Sequence, residues 1–127
     1  MKNKDKIKIL IVDDDPGLLE LLKEGMEDQS FHVLTANDGV AAKNILTSQT
    51  VDCLVTDITM PEMNGAELVT YLRGEDNEIP VFFITGYQDY SREVLNSFKP
   101  KAVIFKPFDI EEVSELIKNH LLNAQRQ

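Results

Sequence analysis

The sequence is poor in cysteine, and Cys53 is the only one among its 127 residues. A disulfide framework within one chain is therefore excluded, which fits a reducing compartment. Cys53 lies in the apolar segment VDCLVT, where we interpret it as a small buried hydrophobic residue. The sequence also lacks an apolar run of transmembrane length, and the short run near the N-terminus ends in carboxylates, unlike a signal peptide. We therefore expect a cytoplasmic protein without a membrane segment.

A surplus of positive charge is also missing. The chain has 13 lysine and arginine residues against 22 aspartate and glutamate residues, which gives a net charge of −9. Phosphate backbones need a basic surface, so we do not expect direct binding to nucleic acid. An acidic chain can still hold a metal cation or meet a basic partner surface.

Internal repeats, low-complexity tracts and linkers are absent, so the length predicts a single domain over residues 1–127, with a core at about residues 6–122. Short apolar or β-branched segments alternate with segments of helical periodicity. The predicted strands are Ile7–Val12, Phe31–Ala36, Val51–Thr56, Ile79–Thr85 and Ala102–Phe105. The predicted helices are Pro16–Asp28, Gly39–Ser48, Gly65–Arg73, Ser91–Ser97 and Ile110–Leu122. This alternation predicts an α/β fold in which helices cover both faces of a parallel sheet.

Capping residues support the predicted helix starts. Asp15 precedes Pro16, Asn64 precedes Gly-Ala-Glu-Leu, and Asp109 is followed three residues later by Glu112 in the pattern of a capping box. The last predicted helix has an apolar stripe that we expect to face the core. Its members are Val113, Leu116, Ile117 and Leu121.

Polar residues follow four of the predicted strands. Asp13-Asp14-Asp15 follows the first strand, Asp57 the third, Thr85-Gly86 the fourth and Lys106-Pro107 the fifth. Ligands of open parallel sheets bind outside the carboxyl ends of the strands. We therefore expect these side chains to meet at one edge of the sheet.

Three adjacent aspartates need an explanation, because neighbouring carboxylates repel and raise each other's pKa. We assign Asp15 to the cap of the first helix. Asp13, Asp14 and Asp57 form a set of hard oxygen ligands suited to Mg²⁺. The cation and the ammonium of Lys106 together bring the predicted site close to neutrality.

This set of residues predicts phosphoryl transfer to a carboxylate. An aspartate can attack phosphorus and form an acyl phosphate, and Asp57 stands alone at the end of the central strand. A metal ion and Lys106 would offset charge on the transferring group, and the Thr85 hydroxyl could bind one phosphoryl oxygen.

The segments ILIVDDDP, TANDG, VDCLVTDITMPEMNGAEL, VFFITGY and FKPF, in this order, resemble the receiver domain of bacterial two-component response regulators over essentially the whole chain. The resemblance implies a flavodoxin-like, doubly wound sheet of five strands in the order 2-1-3-4-5. It implies a signalling domain that accepts a phosphoryl group from a sensor histidine kinase or a phosphotransfer protein. Its own reaction is limited to slow Mg²⁺-dependent autodephosphorylation.

The resemblance also implies roles for individual residues. Asp57 is the phospho-acceptor, Lys106 contacts the phosphoryl group and Thr85 is the switch hydroxyl. Mg²⁺ is held by Asp13, Asp14, Asp57 and the backbone carbonyl of Thr59, with Asp14 as the more direct ligand of the acidic pair.

Features outside the metal site follow from the same resemblance. A cis peptide is expected at Lys106-Pro107. Pro61 and Gly65 match the loop after the acceptor, and Tyr87 flanks the entrance, where its bulk could shield the acyl phosphate from water. Homodimerisation through helix 4, strand 5 and helix 5 is a further implication.

One residue departs from the receiver pattern. Receivers usually carry an aromatic residue three positions before the lysine, and this chain has Val103 there. A valine lacks the length and the ring to turn inward behind the threonine, so the usual coupling between threonine and aromatic residue is not expected. Phe105 or Tyr87 could substitute for the missing ring.

Two other functions fit parts of the sequence. A phosphatase of the haloacid dehalogenase type uses Asp-x-Asp after the first strand, a spacing that Asp13 and Asp15 match, although Gly17 stands where threonine or valine is expected. A pseudo-receiver that binds partners without phosphorylation would fit Val103, whereas the acidic pair, Asp57, Thr85 and Lys106 favour an active receiver.

Overall fold

A computed structural model describes the chain at residues 6–60, 63–86 and 92–125. Five parallel strands form one sheet in the order β2-β1-β3-β4-β5, so the predicted doubly wound fold is confirmed. The strands are β1 (Lys8–Val12), β2 (His32–Ala36), β3 (Cys53–Asp57), β4 (Val81–Thr85) and β5 (Ala102–Phe105). β3 begins two residues later than predicted and continues through Asp57, which makes the candidate acceptor the last residue of the central strand.

In the described ranges four helices connect the strands, and a fifth follows β5. They are α1 (Pro16–Asp28), α2 (Gly39–Ser48), α3 (Gly65–Gly74), α4 (Arg92–Ser97) and α5 (Ile110–Gln125). The predicted bounds of α1 and α2 are confirmed, and α5 runs three residues beyond its predicted end. No helix in the described ranges has the length and apolarity needed to span a membrane.

The caps explain why the helices begin where they do. The Asp15 carboxylate accepts hydrogen bonds from the amides of Gly17 and Leu18 at 3.0 and 3.3 Å. Asn64 and Glu67 form a reciprocal capping box at the start of α3. Asp109 accepts from the amide of Glu112 at 3.0 Å at the start of α5. Each cap satisfies amide donors that the first helical turn leaves unpaired.

The core has two parts, one on each face of the sheet. α1 and α5 cover one face, where Phe82 and Ile84 are buried, and α2, α3 and α4 cover the other, where Leu10 and Phe83 are buried. Every residue of β3 and β4 is buried, as expected for central strands of a doubly covered sheet. Full burial of one such large side chain stabilises the fold by about 1.5–3 kcal/mol.

One predicted core residue lies on the surface. Val113, Ile117 and Leu121 of α5 are buried, but Leu116 is 36% exposed. It lies one position before Ile117, so it shares the side of the helix with its neighbours only in part. The prediction that Leu116 faces the core is therefore wrong.

Candidate functional site

Asp57 lies at the centre of the carboxyl edge of the sheet, and its side chain is almost fully buried. Its Oδ1 accepts a hydrogen bond from the amide of Thr59 at 3.2 Å. Its Oδ2 accepts one from Nζ of Lys106 at 3.1 Å. The carboxylate is thus fixed by its own loop on one side and by the residue after β5 on the other.

The three adjacent aspartates have three different environments. Asp13 is 0% exposed and its Oδ1 accepts from the amide of Asp15 at 2.9 Å. Asp14 is exposed beside it, and Asp15 caps α1. Because the three side chains lie in different environments, the repulsion between their carboxylates is smaller than their adjacency in the sequence suggests.

Lys106 joins the two buried carboxylates. Its Nζ lies 3.1 Å from Oδ2 of Asp13 and 3.1 Å from Oδ2 of Asp57. Its backbone amide donates to the carbonyl of Thr85 at 2.9 Å, which extends the pairing of β4 and β5 by one residue. The predicted cis peptide between Lys106 and Pro107 is confirmed.

The pKa values of this group reflect burial and mutual charge. Burial raises the pKa of Asp13 and the Asp57 charge raises it further; the Asp15 amide and Lys106 oppose this without cancelling it. Burial lowers the pKa of Lys106, but its hydrogen bond to Asp57 and the charges of Asp13 and Asp57 outweigh burial, so the net pKa is raised. Lys106 therefore remains a cation at neutral pH.

The donor set suits a hard cation. Asp13, Asp14 and Asp57 each place a carboxylate oxygen within 4.8 Å of the others. Oδ2 of Asp13 is buried, and among the described residues Nζ of Lys106 at 3.1 Å is its cationic partner. Asp13 and Asp57 are two buried carboxylates that share this one ammonium, so a bound cation would offset their excess negative charge. The residues present therefore fit Mg²⁺.

A cleft of about 520 Å³ opens over these carboxylates. Asp14, Asp57, Thr59 and Lys106 line it, together with Gly86 and Pro107. Gly86 and Pro107 directly follow Thr85 and Lys106 at strand ends, which explains why they reach the same edge of the sheet.

Thr85 ends β4, the strand beside that of Asp57, and Val103 lies on β5. Thr85 is buried and pairs in register with Phe105. Val103 is half-buried and pairs with Phe83, whose ring packs edge-to-face on Phe98 at 5.9 Å. Pro61 and Tyr87 lie outside the described residues.

The geometry disfavours the phosphatase alternative. A dehalogenase-type site needs Asp13 and Asp15 to serve one reaction, but the Asp15 carboxylate is engaged by two amides of α1. Asp57, on which that alternative does not depend, instead shares the ammonium of Lys106 with Asp13.

A doubly wound sheet that gathers an acidic cluster, a lysine and a threonine at its carboxyl edge defines the class of protein as a flavodoxin-like α/β domain. A model of the family described as "Response regulator receiver domain" matches residues 9–118. The chain therefore belongs to the response regulator receiver domain family, which is a family of signalling domains.

Curated relatives agree with this assignment. The chain is 32% identical over 108 residues to the response regulator MprA of Mycobacterium tuberculosis, a match that covers 84% of this chain and 47% of MprA. It is 33% identical over 112 residues to the transcriptional regulatory protein PrrA of the same species, covering 87% of this chain and 48% of PrrA. The chain thus spans about half the length of these relatives.

Solved structures share the fold. A receiver domain protein from Methanospirillum hungatei superimposes with a TM-score of 0.87 at 25% identity, covering 96% of this chain and 98% of that one. The response regulator TrrA from Thermotoga maritima, solved in complex with Mg²⁺–BeF, gives a TM-score of 0.78 at 31% identity, with coverages of 89% and 97%.

Proposed function

We propose that this receiver domain accepts a phosphoryl group on Asp57 in a Mg²⁺-dependent reaction. The donor is a phosphohistidine of a sensor histidine kinase or phosphotransfer protein. The observation that carries the proposal is the position of Asp57: its carboxylate lines an open cleft, contacts Lys106 and lies within reach of Asp13 and Asp14. The Mg²⁺–BeF complex of the similar TrrA supports the same assignment.

The chain's own residues have distinct tasks in this reaction. One Asp57 oxygen forms a bond to phosphorus while the phosphorus–nitrogen bond of the donor breaks, and the electron pair of that bond remains on the donor nitrogen. The amide of Thr59 and Nζ of Lys106 orient the attacking carboxylate. Lys106 then has a new anionic partner in the transferred group, so its positive charge favours the product.

Four groups would hold the metal: the carboxylates of Asp13, Asp14 and Asp57 and the backbone carbonyl of Thr59. Bound Mg²⁺ supplies positive charge that offsets the phosphoryl oxygens. Slow hydrolysis of the acyl phosphate then returns the domain to its unphosphorylated state. Acceptance of the phosphoryl group is therefore the main activity, and the hydrolysis only ends the signal.

We assign the output to Thr85 and to the face formed by α4, β5 and α5. Thr85 pairs with Phe105, and three large apolar side chains of this face are exposed: Val94 by 44%, Phe105 by 42% and Leu116 by 36%. Exposed apolar residues on adjacent elements are typical of a protein interface, here that of a homodimer. The proposal includes a cytoplasmic location for a single domain over residues 1–127, without direct nucleic-acid binding.

Phosphodonor labelling tests the proposed acceptor. Incubation with Mg²⁺ and acetyl phosphate should add about 80 Da, the mass of a phosphoryl group that replaces a proton. Asp57→Asn should gain nothing, whereas the exposed matched control Asp76→Asn should gain as much as wild type. Labelling of Asp57→Asn would refute Asp57 as acceptor, and an unlabelled wild type would favour a pseudo-receiver.

A further inference from the structure

Two glycines lie against backbone atoms of the loop that joins β3 to α3. A Cβ atom built on Gly65 would lie 2.4 Å from the carbonyl oxygen of Asp57, and one built on Gly39 would lie 1.8 Å from the carbonyl oxygen of Met63. Real Cβ atoms essentially never approach a carbonyl oxygen this closely. Neither glycine has a positive φ, so close approach rather than backbone freedom requires glycine at both positions.

Gly39 brings a second element to the candidate site. It is the first residue of α2, and its backbone lies against the Met63 carbonyl. Gly65, two residues after Met63, donates its amide to the carbonyl of Ile58 at 2.9 Å and so holds the start of α3 against the end of β3. In the chain, Thr59 lies between Ile58 and Met63.

The first turn of α2 is the more rigid partner in this contact. The Asp38 carboxylate caps it by accepting from the amide of Ala41 at 2.8 Å, and Ala42 is fully buried in the core. Met63 is half-buried. A side chain at position 39 would therefore displace the Met63 backbone rather than the helix.

We propose that Gly39 is a positioning residue of the phosphoryl-acceptor site. It sets the depth of the β3–α3 loop and, through it, the place of the Thr59 backbone, whose amide orients Asp57 and whose carbonyl is assigned to the metal. The proposal rests on the proposed function where it concerns Mg²⁺. The proposed effect of Gly39 on the position of the Thr59 amide does not depend on any metal.

Substitution of Gly39 by alanine tests the proposal. We expect Gly39→Ala to weaken Mg²⁺ binding by about tenfold to a hundredfold, the usual loss when a residue that orients ligands is changed. The metal-free variant should show a shifted amide resonance for Thr59. The matched control is Gly74→Ala, because an added Cβ at Gly74 meets no atom within 4 Å; its Mg²⁺ affinity and Thr59 resonance should equal those of wild type.

Titration calorimetry with Mg²⁺ and two-dimensional NMR should be run at a temperature where circular dichroism shows each variant folded. A folded Gly39→Ala with wild-type affinity and an unmoved Thr59 amide overturns the proposal. If Gly39→Ala does not fold, Asp38→Ala is the second test variant, because it loosens the first turn of α2 without adding bulk. An unmoved Thr59 amide resonance in Asp38→Ala also overturns the proposal. Absence of Mg²⁺ binding by wild type contradicts the proposed function instead, and the Thr59 amide still decides the role of Gly39.

Discussion

At the scale of single residues, the three consecutive aspartates differ in the direction of each side chain. Asp15 could be assigned to the cap because Pro16 follows it, and the cap is present. Nothing in three consecutive aspartates distinguishes which one turns inward, because that depends on the sheet edge. The structure buries Asp13 and exposes Asp14, and Lys106 bridges Asp13 to Asp57 from a strand that is distant in sequence.

The buried Asp13 charge should destabilise the metal-free domain. Its pKa is raised mainly by burial and then by Asp57, so the folded state favours the neutral side chain. Asp13→Asn leaves Lys106 paired with Asp57 and should raise the free energy of unfolding at pH 7, because the folded state no longer holds this buried carboxylate charge. Urea unfolding in EDTA measures the difference in the free energy of unfolding between Asp13→Asn and wild type. Added Mg²⁺ should make this difference smaller, because it stabilises only the wild-type site.

The same substitution has a defined pH dependence. A folded pKa above the unfolded value means that the folded state binds more protons, so the contribution of Asp13 to stability falls as pH rises above the ordinary value near 3.8. The advantage of Asp13→Asn should therefore vanish at pH values below that point and grow above it. If the free energy of unfolding of Asp13→Asn exceeds that of wild type by the same amount at every pH, the stabilisation does not come from removing the Asp13 charge.

At the scale of elements, the predicted helices and strands are close to the observed ones because caps and turns mark their ends in the sequence. Asp38 before α2 and Asn64 before α3 are local signals, and both act as caps. Leu116 shows the limit of periodicity, because whether its position is covered depends on neighbouring elements. The contact between Gly39 and Met63 joins two connections distant in sequence, so no local pattern of residues predicts it.

The helix ends predict stabilising substitutions. Ser30, Asp76 and Lys99 follow α1, α3 and α4 with φ of 72°, 58° and 54°, a conformation that favours glycine. Ser30→Gly and Asp76→Gly should each raise the free energy of unfolding by about 0.5–1 kcal/mol. Gln29→Gly is the matched control, because Gln29 has φ of −92° and should gain nothing. Equal effects at positions 29 and 30 in thermal unfolding would contradict this explanation.

At the scale of the whole molecule, β5 connects the acceptor site to the surface. This edge strand carries Phe105 on the exposed face, and the next residue, Lys106, reaches both buried carboxylates. Phe105 directly precedes Lys106 in the chain and pairs in register with Thr85. A change in the partners of Lys106 would therefore displace Phe105 directly. Val103 is half-buried beside Phe83 and too small to swing between two positions, so Phe105 is the large side chain of β5 closest to this route.

Phosphorylation should therefore favour a dimer that depends on Phe105. In the proposed homodimer the side chain is covered by the partner, and removing an aromatic anchor from an interface costs at least about 1–2 kcal/mol. Phe105→Ser should weaken association of the acetyl phosphate-treated protein about tenfold or more, measured by sedimentation velocity across protein concentration, with labelling of Asp57 unchanged. Leu21→Ser on α1 is the control, because Leu21 is 52% exposed but lies outside the face of α4, β5 and α5. Equal association of phosphorylated wild type and Phe105→Ser would show that Phe105 does not anchor the dimer and would contradict this prediction.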